Sequence, residues 1–157
     1  MRQITIAAAA LPLDWHADWA GYAAKIRHWV KTAGADLLVF PEYGAMELAS
    51  LGGADVARDL TRALEQVAAL RPRMEALFDT LARETGCHIL APSGPVIKAG
   101  RRLNRATLFG PHGAIGDQDK AMMTRFEREI WSVEAGAGLT LFDTALGRIG
   151  VVICYDS

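Results

Sequence analysis

Three short apolar runs constrain this chain more than any other feature: Leu37-Leu38-Val39-Phe40, Ile89-Leu90-Ala91 and Ile149-Gly150-Val151-Val152-Ile153. Each is too short for a helix and lacks the alternation of a strand with one wet face. Each therefore reads as a strand covered on both sides. Pro41 and Pro92 stop the first two, and Cys154 ends the third. Between the first two lies sequence of helical period, and strands that run parallel need such long crossovers. The order predicts an α/β sheet carrying helices on its face.

Trp15, Trp19, Tyr22, Ile26, Trp29 and Val30 recur at spacings of three and four, which gathers them on one helix face packed on the sheet. Asp14 reads as the cap of that helix and Gly34 as its stop. A turn at Gly52-Gly53 leads into helical sequence over residues 56–70. Pro72 then opens a second piece, with Met74, Leu77, Phe78 and Leu81 on one face and Gly86 ending it. Residues 96–109 read as two short strands hinged at Ala99-Gly100. Pro111-His112-Gly113 and residues 116–119 read as turns, and residues 139–142 as another strand. At the N-terminus, Arg2 and the alanine-rich stretch to Leu13 have the outline of a short secretory signal. Thr5 and Pro12 interrupt it, and residues 4–7 read as a buried first strand. There is no repeat or linker, so residues 1–157 form one domain. Ser157 follows closely on the last strand, whose tip would normally enter a cleft completed by later loops. The sequence reads as unfinished there.

Composition narrows the function classes. Of the 157 residues, 51% are hydrophobic and 22% charged, which excludes a disordered chain. A net charge of −1 offers no field for nucleic acid or anionic lipid. Two cysteines are too few for a disulfide scaffold, and no apolar run approaches the roughly 20 residues of a membrane span. These features read as a soluble, cytoplasmic protein.

Three polar residues stand at element ends, where a rigid strand can hold a side chain in a cleft: Glu42, Lys120 and Cys154. Singly, each has a plain reading as a solvated acid, a surface lysine and a small buried hydrophobe. Their combination and the words around them say more. Phe40-Pro41-Glu42, Asp119-Lys120 and Ile153-Cys154-Tyr155-Asp156 together resemble the nitrilase superfamily of carbon–nitrogen hydrolases. Leu103-Asn104-Arg105-Ala106 and residues 109–113 resemble the strand pair that leads to the family's lysine. Gly147-Arg148-Ile149-Gly150 resembles the lead-in to its nucleophile. The similarity runs through essentially the whole chain.

The resemblance implies a nitrilase-like α-β-β-α sandwich, with the C-terminal part missing from this chain, and assembly as a homo-oligomer, a dimer or larger. It implies a Glu42–Lys120–Cys154 triad. Cys154 would be the nucleophile, Glu42 the base, and Lys120 the cation that steadies charge on the attacked group, helped by the backbone N–H of Tyr155. Glu127 best matches the family's accessory glutamate. Glu129 remains an alternative, as does a merely solvated turn, and Trp131 either lines the pocket or packs. No metal or organic cofactor is implied. The substrate would be a small amide or carbamoyl compound, or a nitrile on the same triad; a non-catalytic interaction module that kept the fold is the rival reading.

Other polar groups carry less. Cys87-His88 lacks a second ligand pair and reads as core packing. His16, His28 and His112 are scattered. Lys98, Arg101, Arg102 and Arg105 read as a solvated hairpin tip.

Overall fold

A computed structural model describes residues 3–157. Arg2, where the signal-like stretch begins, lies outside the described residues. The first strand, β1 (Ile6–Ala8), pairs in parallel with β2 (Leu37–Val39), and β2 pairs in parallel with β3 (His88–Leu90). Helix α1 (Trp19–Thr32) makes the first crossover. The second contains the 3₁₀ segment Gly44–Gly52, α2 (Ala54–Ala57) and α3 (Leu60–Thr85). β4 (Gly94–Lys98), β5 (Arg101–Gly110) and β6 (Gly113–Asp119) complete a six-stranded sheet by antiparallel pairing. β3 and β4 lie end to end along one edge of β5, and β6 takes the other: Leu108 pairs with Leu90 and Gly116, Arg105 with Gly94 and Asp119.

One face of the sheet is covered by helices. Tyr22, Ile26 and Val30 of α1 and Val67, Met74, Leu77, Phe78 and Leu81 of α3 pack there with Leu38, Phe40, Ile89 and Phe109. The opposite face receives the hairpin β7 (Leu141–Thr144) and β8 (Gly147–Gly150). Phe142, Val151 and Ile153 pack there against Leu37, Ala106 and Leu108. Helices, sheet and second sheet stack in that order. No described helix is long and apolar enough to cross a membrane.

Several local expectations are corrected. Asp18, not Asp14, caps α1, its side chain accepting the Gly21 N–H at 2.9 Å. Trp15 therefore precedes the helix and is 60% exposed. Residues 60–85 form one helix through Pro72 rather than two pieces. An internal proline forfeits a backbone bond and costs about 3 kcal/mol, but the buried face continues unbroken across it from Val67 through Arg71 to Met74. The first strand is an edge strand, with Ile6 64% exposed, rather than a buried one. Residues 113–119 are strand, not turn. Their polar side chains disfavour a strand, yet Arg105 on β5 binds Asp119 at 2.6 Å and Asp117 at 2.8 Å across the ladder. Arg105 is thus a sheet clamp and not part of a solvated tip. The last strand ends its pairing at Gly150, and Val151 and Ile153 are buried beyond it.

Candidate active site

Glu42 stands just past β2, on a segment clamped to the β3–β4 junction. Ser93 Oγ accepts the Tyr43 N–H at 3.0 Å, and the Ser93 carbonyl accepts the Ala45 N–H at 3.2 Å. Tyr43 has φ 53°, a left-handed turn that swings the chain away immediately after Glu42. Lys120 follows β6. Its N–H donates to the Asn104 carbonyl on β5 at 2.8 Å, and its own carbonyl accepts from Gly136 at 2.8 Å. Cys154 begins a 3₁₀ turn, Cys154–Asp156, also with positive φ, 52°. Asp156 fastens that turn to the lysine segment: Oδ1 accepts the N–H groups of Ala121 and Met122 at 3.0 and 2.7 Å, while Oδ2 accepts that of Ile153 at 3.1 Å.

These clamps bring together side chains that are far apart in sequence. The Lys120 ammonium, 1% exposed, donates to Glu42 Oε1 and to Glu127 Oε2, both at 2.7 Å. Glu127 comes from α4 (Arg125–Glu129), a short helix whose N-cap Thr124 and Glu127 form a capping box. Its Oε2 also accepts from the Thr124 N–H and hydroxyl at 2.9 and 2.8 Å, and its Oε1 from the Tyr43 hydroxyl at 2.8 Å. Glu129 does not join them. It faces solvent and pairs with Arg125. Trp131 packs edge-on against Tyr43 at 4.8 Å between ring centres.

Electrostatics follow from this packing. Burial opposes the Lys120 charge, but the bonds to Glu127 and Glu42 outweigh it and hold the ammonium above the ordinary lysine range. Burial likewise opposes the Glu127 charge, and is overcome by Lys120, Thr124 and Tyr43, so the carboxylate sits below its usual range. The pair is therefore ionised throughout the neutral range. Hydrogen bonding to the Glu42 carboxylate, and then its charge, push the Cys154 thiol up, with Lys120 and the Tyr155 N–H opposing. Cys154 is exposed. A cleft of about 210 Å³ is lined by Glu42, Phe40, Ser93, Ala106, Ile153 and Cys154. A thiol held above its ordinary range and the Glu42 carboxylate line one cleft, and the buried Lys120 ammonium is bonded to that carboxylate. A thiol so placed can be made nucleophilic during attack.

Sequence reasoning passed over Tyr43, Asn104 and Asp156 as individual residues. Asn104 and Asp156 lay inside the quoted motifs, but Tyr43 had no signal of its own. The Thr124-x-x-Glu127 capping pattern would have separated Glu127 from Glu129. Among the described residues, no cluster of His, Cys, Asp and Glu is arranged to hold a metal ion. A larger hollow on the helix side, about 470 Å³, is lined by Arg71, Glu75, Val96 and Arg105. Its guanidinium groups are taken up by Glu75, Thr107, Asp117 and Asp119.

Two parallel crossovers, an antiparallel extension and a second sheet on the far face make an α/β fold of the nitrilase-superfamily type. The chain belongs to the carbon-nitrogen hydrolase family, whose profile matches residues 2–157. It is 31% identical over 138 residues to the probable hydrolase YhcX of Bacillus subtilis, covering 86% of this chain and 26% of that protein. It is 34% identical over 137 residues to the nitrilase blr3397 of Bradyrhizobium diazoefficiens, covering 80% and 42%. The chain thus spans less than half the length of these two curated relatives. Among solved structures, the CN-hydrolase superfamily protein XC1258 of Xanthomonas campestris superposes with a TM-score of 0.74 at 23% identity, over 99% of this chain and 55% of that one. The amidase from Nesterenkonia sp. AN1, in a mutant form, gives 0.66 at 18% identity, over 98% and 58%.

Proposed function

We propose that the chain carries the catalytic groups of a cysteine-dependent hydrolase of non-peptide C–N bonds, acting on a small amide or carbamoyl substrate. The observation that carries this reading is the meeting of Lys120 with Glu42 and Glu127 at 2.7 Å, beside a thiol that feels the Glu42 carboxylate. Relatives support it: the Nesterenkonia amidase mutant shows Michael addition of acrylamide at its active site cysteine, and XC1258 carries an arsenic adduct in its active site.

In the first step Glu42 takes the thiol proton as sulfur attacks the carbonyl carbon. The C=O electron pair moves onto oxygen, where the Lys120 ammonium and the Tyr155 N–H stabilise it. As the oxyanion collapses, the C–N bond breaks, and the proton held by Glu42 goes to the departing nitrogen. Ammonia or an amine leaves a thioester on Cys154. Glu42 then removes a proton from water, which attacks the thioester and releases a carboxylic acid and the thiol. Glu127 keeps Lys120 in place and charged. Nitrile hydrolysis on the same triad is the second reading, favoured by the 34% identity to a nitrilase.

Ammonia release measured across amides, carbamoyl amino acids and nitriles tests both. Cys154→Ala and Glu42→Gln are expected to abolish turnover of whichever substrate responds. Turnover surviving Cys154→Ala would end the proposal.

A further inference from the structure

We propose that Asn104 is a positioning residue that acts through Glu42, fixing which carboxylate oxygen is left to face the Cys154 thiol. The inference rests on the reading of Glu42 as the base. Asn104 is fully buried on β5, where its strand neighbours Leu103 and Ala106 are buried apolar residues. Its Nδ2 donates to Glu42 Oε1 at 3.1 Å, the same oxygen that accepts from Lys120 Nζ at 2.7 Å. Two donors on Oε1 fix the rotation of the carboxylate and leave Oε2 for the thiol. The backbone carbonyl of Asn104 also accepts the Lys120 N–H at 2.8 Å, so one residue sets the register of both acid and cation.

The other end of the amide makes the same point by its cost. Asn104 Oδ1 is buried with no hydrogen-bond partner among the described residues. A buried acceptor left unpaired lowers stability, and an apolar residue of similar size would pack there without that penalty. The amide is held in place by what its Nδ2 does, and that is to hold Glu42.

Iodoacetamide alkylation of the chain, followed at each cysteine by mass spectrometry as pH is raised, reads the environment of Cys154 without any substrate. The titratable groups that bear on this thiol are Glu42, Lys120 and Tyr43. Glu42→Gln removes a negative neighbour and is expected to lower the midpoint of the alkylation curve by about one pH unit. Asn104→Leu and Asn104→Ala release Glu42 from the thiol. Each is expected to lower the midpoint by about half a unit, with the high-pH plateau unchanged, since the thiolate itself is intact. In the Glu42→Gln background the same changes are expected to add nothing, the signature of one residue acting through another. Buried Cys87 reports the fold in the same experiment by staying unlabelled. If Glu42→Gln shifts the midpoint and both Asn104 variants match wild type, the assignment falls while the base reading stands. If Glu42→Gln shifts nothing, the base reading falls and takes the assignment with it. Additive shifts in the double variant, or labelling of Cys87 in both Asn104 variants, make Asn104 a structural residue and overturn the assignment.

Discussion

The Tyr43 hydroxyl donates to Glu127 Oε1 at 2.8 Å, joining the residue after Glu42 to the acid behind Lys120. Burial, and then this bond, push the Tyr43 phenol well above its ordinary range, so it remains a donor at any working pH. Tyr43→Phe removes the donor and keeps the ring against Trp131. A hydrogen bond to a charged group contributes about 1.5–3 kcal/mol. A loss of that size in denaturant unfolding is expected, with a fall in turnover of about tenfold. An unchanged unfolding midpoint would mean that the bond does not hold Glu127.

Glu127 and Glu129 are two residues apart and differ completely in surroundings. Glu127→Gln leaves the Lys120 ammonium buried with one carboxylate instead of two. Glu42 still balances the ammonium, so the loss expected is that of a hydrogen bond to a charged group, about 1.5–3 kcal/mol, with turnover falling at least as far as in Tyr43→Phe. Glu129→Gln removes an exposed partner of Arg125 and should shift stability by no more than about 0.5 kcal/mol. Equal effects from the two changes would contradict the geometry.

The lysine–glutamate pair also sets a pH window. Glu127 titrates lower in the folded protein than in the unfolded chain, so its contribution is fully present above about pH 4.3. It is lost as pH falls through the lower folded value. Lys120 titrates higher when folded. Its contribution is fully present below about pH 10.4 and is lost as pH rises through the higher folded value. Between these limits neither group changes charge. Denaturant midpoints measured against pH should therefore lose less on acidification in Glu127→Gln than in wild type. Parallel curves would show that Glu127 is not the group protected from protonation.

The second sheet packs on β6 at a glycine. A Cβ on Gly116 would stand 2.6 Å from the ring of Phe142, which is itself buried. Gly116→Ala must push the β7–β8 hairpin outward, and overpacking of this kind costs about 1–3 kcal/mol. Faster hydrogen exchange confined to residues 141–150 is the expected sign. A variant as stable as wild type would show that the hairpin yields freely.

How much of this was legible in sequence depended on whether local pattern or distant partners decided each element. Leu37–Val39 and His88–Leu90 are fixed by their own continuous apolar character, and the structure has them as strands. Gly113–Asp119 is a strand whose aspartates pair with Arg105 across the ladder, a relation between two strands that the polar run does not show by itself. Pro72 marked a break that the packing of α3 overrides. At the site, the resemblance carried Glu42, Lys120 and Cys154, whereas Tyr43 and Asp156 act through bonds to residues 84 and 35 positions away. Glu127 was within reach of a cap pattern that also fixes its helix.

The burial of Lys120 between two acids has a consequence for the proposed chemistry. At rest the crevice holds one more anion than cation, and both anions compete for a single ammonium. When the sulfur's proton reaches Glu42, one competitor is neutralised just as the substrate oxygen becomes charged. The cation need not be recruited from solvent; it exchanges one counter-ion for another. The total charge inside the crevice stays constant from start to finish, so little of the surrounding structure has to reorganise for the reaction to proceed.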